Sequence, residues 1–332
     1  MSGAPRPSEE ALIARFFAPL AGPGADGLRD DAASLVPSPG HDLVLTADAI
    51  VAGIHYFPDD PPASIARKAL AVNLSDIAAK GAAARGFLLT LALPDAWTEA
   101  WLAAFAEGLG QASRDLGCPL LGGDTVRSGG PALIGVTAVG EVPAGAIVRR
   151  TTARVGDRIC VSGTIGDAAL GLRMRLKPDA AWVRQLDAAS RGHITDRYLH
   201  PRPRLALAPA LLRFATAAMD VSDGLAGDLA KMLPGTGRSA VVDVAAVPLS
   251  EAAARAVRTE PDLIDTALTG GDDYEILCTV APGDRDAFRA AADAAGVPVA
   301  VIGTVISGDG PPVFRTDTGP DKGFATPAFS HF

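Results

Sequence analysis

Residues 218–229 read Ala218-Met219-Asp220-Val221-Ser222-Asp223-Gly224-Leu225-Ala226-Gly227-Asp228-Leu229. An apolar run ends at this stretch and a helical pattern begins, with three aspartates across the junction. An EF-hand reading fails. With Asp220 as the first loop residue, Gly224 falls fifth instead of sixth and Lys231, not Glu, is twelfth. Ser222 and Asp223 are suited to cap a helix starting at Asp223, and a helix start also presents backbone N–H groups to phosphate. Asp228, one turn further on, reads as a surface residue. A strand at 217–221 running through a Ser-Asp turn into a helix is a building block of α/β proteins.

The stretch has an echo. Asn73-Leu74-Ser75-Asp76-Ile77-Ala78-Ala79 lines up with Asp220-Val221-Ser222-Asp223-Gly224-Leu225-Ala226, and each is followed by Gly-Gly-Asp. The spacing from Asp76 to Asp124 is 48 residues and from Asp223 to Asp272 it is 49. Two matches at matched spacing fit related half-domains. A single Gly-Gly-Asp is most simply a turn. Glycine also serves where backbone must come close to a ligand.

Outward from these motifs the chain alternates strands and helices in both halves. Ser8-Glu9-Glu10 reads as a helix start, with Leu12, Ile13, Phe16, Phe17 and Leu20 on one face. DLVLTADAIV (42–51) and FLLTLAL (87–93) read as strands, and Ser64 as the cap of a helix through IARKALAVNLSDIAA. A helix near 98–116, an apolar CPLL and a strand ALIGVTAVG complete the first half. After 145–156 the pattern restarts with RICVSG and DAALGLRMR, followed by SAVVDVAAV, YEILCTV and VAVIGTV as strands. The expected organisation is α/β (α+β) with mixed sheets in two domains, 1–148 and 149–332.

Composition narrows the function. The net charge of −8 disfavours a nucleic-acid binder, which needs a basic surface to release counterions. Cys118, Cys160 and Cys278 form no C-x-x-C pair and suit a reducing compartment. The weakly charged run 129–148 is broken by Pro131, Glu141 and Pro143, so no membrane span is expected, and the chain reads as cytoplasmic. Gly22-Pro23-Gly24-Ala25-Asp26-Gly27 matches G-x-G-x-x-G by letters but follows a helix, not a strand. The P-loop, protein-kinase and zincin motifs are absent.

Further acids lie at Asp30-Asp31 and at Asp48 in LTAD. Carboxylates are uncommon in apolar strands unless they have partners. Asp31, Asp48, Asp76, Asp124 and Asp223 could converge only with cations between them. Hard oxygen ligands suit Mg²⁺, which bridges carboxylates to substrate phosphates and serves phosphoryl transfer.

The ordered set DDAASL, TADAIVAGIHY, KALAVNLSDIAAKGA, LLGGDTVR, VSGTIGDAALGL, DVSDGLAGDL and GGDDYEI resembles the thiamine-monophosphate kinase family, in the aminoimidazole ribonucleotide synthetase-like superfamily. The resemblance spans almost the whole chain. It implies ATP-dependent phosphorylation of thiamine phosphate to thiamine diphosphate, with several Mg²⁺ ions in a cleft beside a homodimer interface. The first domain would bind ATP and Mg²⁺ and pair across the dimer, and the second would complete the cleft. By motif position the metal ligands would be Asp31, Thr46, the Ala47 backbone, Asp48, Asp76, Asp124, Asp220 and Asp223. Gly123, Asp124, Arg150 and Ser222 would contact ATP. His55, Asp272 and Phe329 would contact thiamine phosphate, with Phe324 as the competitor for the aromatic position. No general base is implied, because the attacking phosphate oxygen is already ionised; Asp124 and Arg150 would act electrostatically.

Three departures from the family pattern stand out. Arg29 replaces a common glycine, Ala47 removes a hydroxyl, and Asp272 is one methylene shorter than the usual glutamate. A selenophosphate synthetase would call for a reactive residue near the N-terminus, where this chain's first cysteine is Cys118. The hydrogenase-maturation relative uses a C-terminal cysteine, whereas this chain ends Ser330-His331-Phe332. An aminoimidazole ribonucleotide synthetase-like enzyme and a non-catalytic Mg-nucleotide-binding protein are the remaining alternatives.

Overall fold

A computed structural model describes residues 7–233, 237–316, 321, 322 and 324. The chain divides into two compact units, one of residues 1–77 with 83–145 and one of residues 78–82 with 146–332.

The first unit contains α1 (Glu9–Leu12), β1 (His41–Val51), α2 (Pro62–Ala79), β2 (Ala83–Leu93), α3 (Glu99–Leu116), β3 (Leu120–Arg127) and β4 (Leu133–Pro143). Ser8 caps α1 as expected, accepting from the Ala11 N–H. Thr98 caps α3, and Gly117 ends it at φ 64°, a left-handed conformation that glycine adopts without a Cβ penalty. Helix α2 begins two residues before Ser64, which lies inside it instead of capping it.

The four strands form a mixed sheet in the order β1-β4-β2-β3, with only β2–β3 parallel. Alternation along the strands separates two faces. Phe87, Leu89, Leu91, Ile134 and Val136 are buried, and Thr46 and Asp48 bond to Asp76 and Asn73 of α2 on that side. The opposite face carries Leu43, Leu45, Leu88 and Val126, all exposed.

The second unit contains β5 (Arg158–Ser162), α4 (Asp167–Leu176), α5 (Ala181–Gln185), α6 (Ala188–Leu199), α7 (Ala208–Phe214), β6 (Ala215–Asp220) and α8 (Leu225–Met232). There follow β7 (Arg238–Asp243), α9 (Glu251–Thr259), α10 (Leu263–Thr269), β8 (Ile276–Val280), α11 (Arg285–Ala294), β9 (Val299–Ser307) and β10 (Val313–Arg315). Its sheet runs β10-β7-β9-β5-β8-β6, antiparallel except for the β10–β7 pair. Both faces are covered: Ile159 and Val161 pack with Leu225 and Leu229 of α8, while Cys160 and Cys278 pack with Leu211 of α7 and Phe288 of α11. Burial on both sides explains the near-continuous apolar strands RICVS and ILCTV.

The repeated aspartate pattern does not repeat as local structure. Asn73-Leu74-Ser75-Asp76 lies within α2, whereas Asp220-Val221-Ser222-Asp223 ends β6 and enters a turn. The first Gly-Gly-Asp is mid-strand in β3; the second is a loop after α10. A strand is possible at Gly123 because a Cβ there would lie 1.9 Å from the Leu89 carbonyl oxygen, so glycine alone permits the pairing. The shared letters therefore serve two different geometries.

Candidate active site

In the first unit, β1 and α2 present the first group of candidate ligands. The Thr46 hydroxyl donates to Asp76 Oδ2 at 2.6 Å, and the Asp48 N–H donates to Asn73 Oδ1 at 2.8 Å. Asn73, fully buried, also donates to the Ala69 carbonyl. Residues three apart on a helix share a face, so the Asn-x-x-Asp spacing aims both side chains at β1. Asp31, Gly123 and Asp124 are gathered elsewhere, around a cavity of about 830 Å³ that is also lined by Phe17, Leu35 and Thr90. Strand register places Asp124 in line with Thr90 and Gly135, and Asp48 in line with Val136. Alternation then puts Asp48 and Asp124 on opposite faces of the sheet. Within this unit the structure brings together Thr46 with Asp76, and Asp31 with Asp124, as two separate groups.

His55 sits in the turn after β1. Its Nδ1 accepts the Val51 N–H at 3.0 Å, which leaves the neutral ring's proton on Nε2. Lys68, buried in α2, donates to the His55 carbonyl at 3.1 Å. The neighbouring Tyr56 phenol is pushed up to about 12 by burial, with the Asp60 charge adding to it.

In the second unit the opening stretch becomes a compact cradle. Asp220 ends β6 nearly buried. Helix α8 begins at Leu225, two residues later than the sequence suggests, after Gly224 at φ 110°. Neither Ser222 nor Asp223 caps it. Asp228 performs the ordering instead: its Oδ2 accepts the Ser222 N–H at 3.0 Å and the Asp223 N–H at 2.9 Å. Those two amides are therefore committed internally and are not presented to a phosphate. The expectation that Asp228 is a surface residue is corrected, since it is fully buried. Burial pushes its carboxyl above the usual range, against the opposing pull of Lys231.

The Gly270-Gly271-Asp272 loop is stitched to this cradle. The Asp272 N–H donates to the Ser222 carbonyl, Tyr274 N–H to the Val221 carbonyl, and Val221 N–H to the Glu275 carbonyl, each at 2.8 Å. Asp272 and Tyr274 hold φ of 65° and 51°, left-handed values that cost non-glycine residues about 1–3 kcal/mol each. Two buried acids anchor the loop. Asp273 accepts the Gly166 N–H at 2.8 Å, and burial raises its carboxyl well above the ordinary range. Glu275, fully buried, accepts from Ser162 Oγ at 2.6 Å, from Arg204 Nε at 2.6 Å and from Arg197 Nη2 at 3.0 Å.

Sequence reasoning singled out Asp272 but missed Asp273, Glu275, Arg197 and Arg204. The available signal was an acid alternating into an apolar strand, which demands buried partners. Arg150 is exposed in the segment before β5. Phe329 lies outside the described residues. Phe324 packs edge-on against Phe314, ring centroids 5.3 Å apart, on the unit's core.

The donors fit Mg²⁺ by chemistry, being carboxylate, hydroxyl and backbone carbonyl oxygens throughout. No cluster of three or more His, Cys, Asp or Glu among the described residues could hold a metal by itself. Sparse carboxylates suit an ion that keeps several waters and takes the rest of its shell from substrate phosphates.

Residues 29–142 match the family described as "AIR synthase related protein, N-terminal domain", and residues 154–314 match its C-terminal domain. The chain is 42% identical over 309 residues to the thiamine-monophosphate kinase of Caulobacter vibrioides, covering 92% of this chain and 86% of that protein. The chain belongs to the thiamine-monophosphate kinase family. The thiamine-monophosphate kinase structure from Stenotrophomonas maltophilia K279a superposes with a TM-score of 0.78 at 40% identity, covering 87% of this chain and 90% of that one. AaThiL, solved in complex with AMPPCP and TMP, gives 0.77 at 27% identity over 98% of this chain and 94% of that one. The two-domain AIR synthase-type fold with mixed sheets thus holds for this thiamine-monophosphate kinase family member.

Proposed function

We propose that the protein transfers the γ-phosphoryl group of ATP to thiamine phosphate, giving thiamine diphosphate and ADP. The observation that carries this reading is full-length likeness to thiamine-monophosphate kinases, together with the stitched Asp220–Asp223 and Gly270–Asp272 loops that such a likeness makes functional.

The nucleophile is a phosphate oxygen of thiamine phosphate, ionised at neutral pH, so no side chain need remove a proton. That chemistry suits a site whose charged residues are nearly all aspartates. The barrier is electrostatic: two polyanions must approach. Asp31, Thr46, the Ala47 carbonyl, Asp48, Asp76, Asp124, Asp220 and Asp223 would hold several Mg²⁺ ions in separate groups, and these ions when bound offset that charge. Gly123, Asp124, Arg150 and the Ser222 hydroxyl serve ATP, with Arg150 adding fixed positive charge. His55 offers an Nε2–H donor to the phosphate of thiamine phosphate without needing to be protonated, and by motif position Asp272 and Phe329 would serve the same substrate.

The protein further acts as a homodimer through the exposed face of the first sheet. Leu43, Leu45, Leu88 and Val126 form an apolar surface of the kind that monomers seldom leave in water. No helix among the described residues is long and apolar enough to cross a membrane, and we place the enzyme in the cytoplasm.

Incubating the purified chain with ATP, Mg²⁺ and thiamine phosphate tests the activity. Thiamine diphosphate and ADP should appear in equal amounts. Neither product, with turnover of an aminoimidazole precursor instead, overturns the reading.

A further inference from the structure

Lys231 lies on α8, eight residues after Asp223 and three after Asp228. Its ammonium bridges the two carboxylates, donating to Asp228 Oδ1 at 2.9 Å and to Asp223 Oδ2 at a closer distance. The two partners differ in what else they do. Asp228 is fully buried and its second oxygen holds the Ser222 and Asp223 amides, so it cannot leave without opening the turn. The Asp223 side chain is about one-third exposed and has Lys231 as its ion-pair partner. An ordinary surface pair of this exposure contributes little and exchanges freely. Here one side of the ammonium is fixed by a buried anion, so the charge stays beside Asp223.

We infer that Lys231 is the resident counter-ion of Asp223, neutralising it in the metal-free protein and competing with the divalent cation for its carboxylate. The inference rests on the reading of Asp223 as a metal ligand. A divalent ion taking Asp223 Oδ2 must displace the ammonium, which remains paired to Asp228. Lys231 thereby raises the cation concentration at which this loop loads, and keeps Asp223 oriented until it does. It acts through Asp223 and is a positioning residue.

The test is Mn²⁺ binding to the full chain without nucleotide at low ionic strength, read as free Mn²⁺ by electron paramagnetic resonance. Lys231→Gln keeps a donor for Asp228 but drops the charge. It should bind Mn²⁺ roughly two- to five-fold more tightly than the natural chain, the range set by an exposed ion pair. Lys231→Arg should restore the weaker binding, and Asp223→Asn should weaken it well below both. Thermal midpoints measured alongside separate a loosened loop from a lost competitor. Unchanged or weaker Mn²⁺ binding in a folded Lys231→Gln overturns the inference, while leaving Asp223 as a ligand if Asp223→Asn still loses affinity. Binding by Asp223→Asn equal to the natural chain overturns both the inference and the assignment of Asp223.

Discussion

Glu275→Gln is the sharpest probe of how the second unit is built. The carboxylate is wholly buried and takes hydrogen bonds from Ser162, Arg197 and Arg204, while the side chains of the two arginines are 4% and 20% exposed. Glutamine is nearly isosteric, so no cavity forms. It keeps one acceptor but turns an NH₂ group toward guanidinium donors and leaves two buried cations short of their anion. Removing one partner of a buried ion pair costs about 3–5 kcal/mol. Arg204 can reach some water, which places the expected loss near the lower end, about 3–4 kcal/mol. For a domain of this size each kcal/mol lowers the midpoint by roughly 2–4 °C, giving a drop of about 6–16 °C.

The same change should reach the site, because the Glu275 carbonyl holds the Val221 N–H and the neighbouring bonds hold Ser222 to Asp272. Two left-handed residues, Asp272 and Tyr274, relax once that anchorage loosens. Scanning calorimetry of the full chain and steady-state kinetics at a temperature where the variant is folded are the assays. KM for thiamine phosphate should rise at least several-fold. A midpoint within about 2 °C of the natural chain, less than the loss of even one kcal/mol, would refute the claim that this network secures the loop.

Gly123→Ala should destabilise by at least ~1–3 kcal/mol, the usual cost of overpacking, because its Cβ meets the Leu89 carbonyl oxygen, which is backbone; urea denaturation reads the shift. Asp124→Ala should keep the fold, since its side chain faces the 830 Å³ cavity, and lose at least ~2–3 kcal/mol of transition-state stabilisation; near-normal turnover at saturating Mg²⁺ would sink its assignment. Tyr56→Phe removes a buried hydroxyl that has no hydrogen-bond partner among the described residues and should stabilise by roughly 1 kcal/mol. The Tyr56 phenol is raised to about 12 from 10.0, so its stabilising contribution is complete below pH 10 and lost as pH rises to about 12; stability of Tyr56→Phe, measured by denaturation across that window, should fall less steeply. Leu45→Asp charges the exposed sheet face, and sedimentation should show the proposed dimer shifted toward monomer.

Much of this architecture is legible in the sequence where periodicity is strong. Helix α3 falls at Glu99–Leu116 against an expectation of 98–116, because Thr98 and Gly117 are unambiguous caps. Strand β1 is likewise found one residue longer than expected, at His41–Val51. The failures arise where a hydrogen bond or close approach, near or far in sequence, overrides what local composition suggests. Gly-Gly-Asp at 122–124 has turn composition, yet the neighbouring strand's backbone needs the space that a side chain would fill. The start of α8 is displaced because Asp228 reaches back to the Ser222 and Asp223 amides. Glu275 and its arginines are separated by more than 70 residues, so no local pattern marks them as partners.

The stretch Asp220–Asp228 shows how one residue type divides its roles by environment. A carboxylate free to bind a metal must have lone pairs left over and a route for the ion. Asp228 has neither, being buried with both oxygens engaged, and its charge is spent on shaping the turn. Asp223, held in that turn and part-exposed, keeps an oxygen occupied by Lys231, whose ammonium is itself anchored on buried Asp228. The anchor and the proposed ligand therefore belong to one device: without Asp228 the Ser222 and Asp223 backbone would have to find other acceptors, and the carboxylate of Asp223 would lose its fixed direction. Counting aspartates identifies the cradle, but only the hydrogen bonds already made tell which of them remain available for chemistry.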